Sequence, residues 1–120
     1  MEAGAQEPEE MAMTNEALVE EIDAAYRRLG AATERFARAD GELAWHVRRV
    51  RLDNAEAILE AKNERTANLY LDGLLDSDEH RRLEANRARA ELDLRHARLE
   101  VERLHLIVRL LGAQSEEPFG

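Results

Sequence analysis

The sequence predicts an all-α protein, an antiparallel helical hairpin built up into a three-helix up-down-up bundle with coiled-coil-like packing. Three observations predict it. Ala (20) and Leu (17) supply most of the 44% apolar content of a 120-residue chain in which 36% of residues are charged, a mixture that belongs to long helices and coiled coils. Only two Pro and six Gly are present, too little material for the many turns of a β fold. Apolar residues also recur at alternating steps of three and four, the repeat of one helical face.

Thr14 stands as an N-cap before Leu18, Ile22, Ala25, Leu29, Ala32, Phe36 and Ala39, which predict a first helix over about 15–39. Asp40-Gly41 marks its end, because Gly leaves the helical region readily and Asp caps a following helix. Leu43, Val47, Val50, Asn54, Ile58 and Ala61, continuing past Leu69, predict a second helix over about 42–75. Asp76-Ser77-Asp78-Glu79 interrupts it, with Ser77 or Asp76 as the cap and carboxylates that suit the dipole of the next helix. A third helix over 78–111 carries Leu83, Ala90, Leu94, Ala97, Val101, Leu104, Val108 and Leu111 and stops at Gly112. Residues 14–112 are thus the bundle, flanked by an acidic tail, 1–13, and a second tail, 113–120, both expected to be disordered.

Helices two and three bear a second stripe on nearly the opposite face, Trp45, Leu52 and Leu59 on one and Leu92, Leu99 and Leu106 on the other. A turn at Asp76-Ser77 levels Val47 with Leu104 and Val50 with Val101, pairs whose numbers add to 151. A turn at Asp40-Gly41 levels Trp45 with Phe36, Leu52 with Leu29 and Leu59 with Ile22. Leaving such leucines in water forgoes roughly 1.5–3 kcal/mol apiece, so the first helix is expected to fold back over one of these faces. The rival arrangement is a helix continuous through Gly41, at a cost of about 1 kcal/mol, giving a rod that must dimerise. In either case the run from Leu104 to Leu111, with Leu110, is apolar nearly all round and calls for self-association or a partner helix.

Charge and chemistry narrow the function. The net charge is −9, and most of the acidity sits in the two ends. The opening MEAGAQEPEE lacks an apolar run and no long apolar stretch follows, so neither a signal peptide nor a membrane span is expected, and the compartment is the cytoplasm. The absence of Cys excludes disulfides and thiol chemistry. His46, His80, His96 and His105 are the only imidazoles, and the one Glu-x-x-His spacing, Glu102 to His105, has no second copy and reads as a surface pair. With no phosphate-binding Gly loop, and Ser only at 77 and 115, no catalytic, cofactor, metal or small-molecule site is expected. The densest motif is Trp45-His46-Val47-Arg48-Arg49-Val50-Arg51. In the 151 register Arg48, Arg49 and Arg51 face Arg98 and Arg103, a patch for nucleic-acid phosphates or an acidic partner, or a solvated ion-paired face. Lys62-Asn63-Glu64-Arg65 is either a loop tip or one polar helical turn.

Lys62-Asn63, Arg65, Tyr70-Leu71, Leu74-Leu75, Asp78-Glu79, Leu83 and the final Leu104–Leu111 run give the stretch 55–111 a resemblance to small all-helical accessory proteins of tailed bacteriophages. The resemblance implies a phage or prophage accessory protein, in the host cytoplasm or the virion, and no catalysis. The expected function is therefore a non-enzymatic helical interaction or assembly factor that binds itself or another helical protein through Trp45, Leu52, Leu59, Leu92, Leu99, Leu106 and Leu110. The alternative is a nucleic-acid-associated module of replication or recombination using Arg48, Arg49 and Arg51. An inhibitor presenting an acidic helical surface also fits the charge.

Overall fold

The first helix does not stop at Gly41. In the computed structural model, which describes residues 14–116 (114–116 by backbone alone), the described chain forms four helices and no strand: α1 (Asn15–Asp53), α2 (Ala55–Leu59), α3 (Glu64–Leu75) and α4 (Asp78–Glu116). The all-helical expectation holds. The tail expected over 1–13 and the end of that over 113–120 lie outside the described residues.

α1 opens at the anticipated cap, where Thr14 Oγ1 accepts the Ala17 N–H at 3.1 Å. It then passes through Asp40-Gly41 without a break. This corrects the turn expected there, the helix limits 15–39 and 42–75, and the up-down-up path that depended on them. The reason lies in the stripe. Leu29, Phe36, Ala39, Leu43, His46 and Val50 are half-buried and Ala32 buried, in one unbroken alternation of three and four, so a helix that keeps its phase loses no burial at Gly41. Gly41 itself sits on the exposed side, with a negative φ and nothing within 4 Å of the place a Cβ would occupy. Its helix penalty, about 1 kcal/mol, is smaller than the cost of unwinding a turn whose neighbours are already packed. Asp40 does not cap a helix either; its carboxylate accepts from Arg87 Nε at 2.6 Å.

α1 ends instead at Asn54, whose backbone (φ −119°, ψ 19°) leaves the helix. The Asn54 side chain adds to the local hydrogen bonding, as Asn does at turns: Nδ2 donates to the Val50 carbonyl at 2.9 Å beside the Asn54 backbone N–H at 3.2 Å, and Oδ1 accepts from the Tyr70 hydroxyl at 3.4 Å. After α2, Asn63 adopts an extended backbone and caps α3 by accepting the Thr66 N–H at 2.8 Å. Lys62-Asn63 is therefore an interruption and not a helical turn. Ser77 caps α4, accepting the His80 N–H at 3.1 Å, while Asp76 accepts from Arg81 at 2.6 Å. α4 continues past Gly112 to Glu116; Gly112 also lacks a positive φ, so the stop expected there, and with it the start of the tail at 113, is corrected.

The chain divides into two compact units. Among the described residues the first joins 14–31 with 95–116. Its core is Leu18, Ala25, Val101 and Leu104, against which Ile22, Leu29 and Ile107 pack, and Leu104 is only 1% exposed. Tyr26 and His105 close its flank, with the hydroxyl 2.7 Å from Nε2. The second unit, Ala32–Leu94, holds the buried residues Ala32, Leu83, Ala90 and Leu94. Here the Arg87 guanidinium lies over the Phe36 ring at 5.2 Å and bonds Asp40 one turn further on, while His46 meets His80 with ring centres 5.4 Å apart. Within this unit α1 and α4 therefore run antiparallel, with Asp40 level with Arg87 and His46 with His80. The 151 register is corrected accordingly, because the chain reverses between Asn54 and Ser77 and not at Asp76 alone.

A helix continuous through Gly41 responds to Gly41→Ala with a gain of about 1 kcal/mol, read as a higher urea midpoint at unchanged slope. A turn at that position would give the opposite sign.

Candidate interaction surface

All seven residues singled out for association stand in solvent. In the first unit Leu99 is 55% exposed, Leu106 53% and Leu110 65%; in the second, Leu92 is 48%, Trp45 56%, Leu52 64% and Leu59 84% exposed. The cause is the straight passage through Gly41. The fold-back that would have laid Phe36, Leu29 and Ile22 over Trp45, Leu52 and Leu59 does not exist, since all of α1 up to Asp53 is one helix. Each long helix has only one covered stripe. On α4 that stripe is His80, Leu83, Arg87, Ala90, Leu94, Ala97, Val101 and Leu104, all buried or half-buried, and the leucines of the second stripe point elsewhere.

The residues of the second stripe are not all brought together. Leu52 and Leu59 line one open groove with Ala55, Ile58, Ala67 and Leu71, of about 390 Å³. The expectation that Leu104–Leu111 is uncovered as a block needs refining: Leu104 is core and Ile107 packs against it, whereas Val108 and Leu111 are 42% and 40% exposed. Val19 and Leu69 are exposed too.

The basic residues separate into two groups. Arg48, Arg49 and Arg51 are exposed and have no ion-pair partner among the described residues. The observed register does not level them with Arg98 and Arg103, because the neighbouring His46 meets His80. Arg103 is engaged within its own helix, donating to both oxygens of Glu100 at 2.9 and 3.2 Å. That hydrogen bond holds the Glu100 carboxyl below its ordinary value.

The histidines were separated by the register. His105, read as the partner of Glu102, instead meets Tyr26. His46 and His80, which sequence reasoning did not connect, form a half-buried pair. The available signal was that both occupy seam positions, His46 three residues after Leu43 and His80 three before Leu83. Among the described residues no three His, Cys, Asp or Glu side chains converge as metal ligands, and no helix is long and apolar enough to cross a membrane. Comparison with family models, curated proteins and solved structures finds no match, so function is argued from this geometry.

A carboxylate whose folded pKa is depressed contributes stability that is present above its unfolded value, near pH 4.3, and lost as pH falls through the folded value. Glu100→Gln is accordingly expected to lose less stability than the wild type between pH 5 and pH 3, a small difference because the pair is exposed, measurable as the shift in urea midpoint.

Proposed function

We propose that this chain is a non-enzymatic helical interaction protein that associates with a second copy of itself through the leucine stripe of α4, with Trp45, Leu52 and Leu59 as a further contact face. The observation that carries the reading is the contrast on α4 between Val101 and Leu104, buried by the chain's own α1, and Leu99 and Leu106, which remain more than half exposed. Leu92, Leu99 and Leu106 recur at a strict heptad interval, the spacing at which two like helices interlock knobs into holes. Two copies contribute the same stripe twice, the self-complementary arrangement of a two-fold interface. Covering the exposed half of a leucine is worth roughly 1 kcal/mol, so the three leucines of one copy's stripe fall short of an association cost of at least about 4 kcal/mol, while the same stripe contributed by both copies exceeds it. An assembly or accessory role, such as the phage resemblance of residues 55–111 implies, is a setting this association would serve.

Light scattering over a range of concentrations tests the reading. The wild type is expected as more than one chain at tens of micromolar, and Leu99→Glu with Leu106→Glu is expected to weaken association at least 100-fold while far-UV circular dichroism is retained. A wild type that stays a single chain throughout rejects it.

A second reading rests on Arg48, Arg49 and Arg51, whose exposed, unpaired guanidinium groups suit phosphates. It predicts salt-dependent retention on DNA or RNA that is abolished when all three become Glu, each phosphate contact contributing about −0.9 to the log–log salt slope on duplex DNA. Absence of retention by the wild type at low salt removes it.

A further inference from the structure

His46 and His80 present an arrangement that the association reading does not use. Both side chains are largely enclosed, 13% and 14% exposed, in the seam between α1 and α4 of the second unit. His46 Nε2 and His80 Nδ1 are fully buried, and neither has a hydrogen-bond partner. A buried imidazole nitrogen with no partner is costly, and native interiors rarely tolerate one; two on facing rings in one seam call for a shared occupant. The outer nitrogens are oriented differently. His46 Nδ1 lies 3.9 Å from a Glu79 carboxylate oxygen, and His80 Nε2 lies 3.6 Å from one of Glu84. At these separations the carboxylates are charges near the outer edge of each ring and not hydrogen-bond partners, so each ring offers its enclosed nitrogen as the free donor.

We propose that His46 Nε2 and His80 Nδ1 together bind one divalent transition-metal ion of the zinc type, clamping α1 to the first turn of α4. The ring separation fits this. Imidazole nitrogens bind Zn²⁺ at about 2.0–2.1 Å, so two rings sharing a tetrahedral ion have centres roughly 5 Å apart, against the observed 5.4 Å. Ser77 supports the geometry, since its cap on the His80 N–H fixes the turn that carries one ligand. Glu79 and Glu84, each beyond an outer ring nitrogen, add negative charge in the surroundings of the cation. Neutral imidazole and borderline-soft nitrogen donors select Zn²⁺, Ni²⁺ or Cu²⁺ over Mg²⁺ and Ca²⁺, which take oxygen. Two protein ligands imply modest affinity, on the order of micromolar, below that of complete four-ligand sites.

The experiment is equilibrium dialysis of ZnCl₂ against chelator-treated full-length protein, with thermal melts at matched Zn²⁺. One ion per chain is expected, with a melting temperature raised by several degrees. His46→Gln and His80→Gln are each expected to weaken binding at least tenfold and to abolish the shift, whereas the doubly substituted His96→Gln/His105→Gln protein binds as the wild type does. Equal binding by the His46→Gln and wild-type proteins, or no binding by the wild type, overturns the proposal. Should either single variant lose its helical circular dichroism, imidazole NMR of the wild type decides: Zn²⁺ moving the His46 and His80 resonances alone supports the clamp, and Zn²⁺ moving only those of His96 and His105 defeats it.

Discussion

The alternation of three and four along α1 is what the remainder of the molecule depends on. From Leu18 to Val50 the covered face never changes phase, and a helix whose stripe keeps phase has no energetic reason to bend. A glycine in such a run is a local penalty of about 1 kcal/mol, set against the packing on α4 that the same face makes around Gly41 within the second unit, through Phe36, Asp40 and His46. Because the helix continues, the chain has two long helices where three were expected. The third layer that would have covered a second apolar face is therefore missing from the single chain.

How far this was legible from residue order follows from the physics of each element. The caps at Thr14 and Ser77 were legible because a hydroxyl bonding an orphan N–H three residues on is a local event. The two stripes were legible because helical periodicity is local too. Gly41 misled because glycine permits a turn without requiring one, and the deciding quantity, stripe phase on both sides of it, argued for continuity. Asn54 was hidden in the opposite way: it falls at a stripe position of the expected second helix, whereas its backbone leaves the helix there and its amide adds a bond to the Val50 carbonyl. The register then failed as a consequence. A heptad pattern matches itself at every whole-heptad shift, so only the place of reversal selects among the matches, and that place had been misassigned.

The same register error separated the candidate sites. The leucine stripe survives the correction, because which face a residue occupies is a property of one helix and does not depend on what lies opposite. The basic cluster and the histidine pair are properties of two helices at once. Arg48 and Arg103 were joined, and His46 and His80 kept apart, by one wrong constant. Features confined to one helix can be read from sequence spacing, while those that span two helices await the register.

The reversal between Asn54 and Ser77 differs from the long helices in kind. Neither α2 nor α3 contains a buried residue, and what shapes them is asparagine side chains bonding nearby backbone, with Tyr70 reaching Asn54. Bonds of that sort are made and broken one at a time, without the cooperativity that a packed core imposes. Among the described residues the connector is thus the stretch with the least burial to hold it closed, joined to helices that bury a stripe along their length, and its opening costs the helices it joins little of their packing.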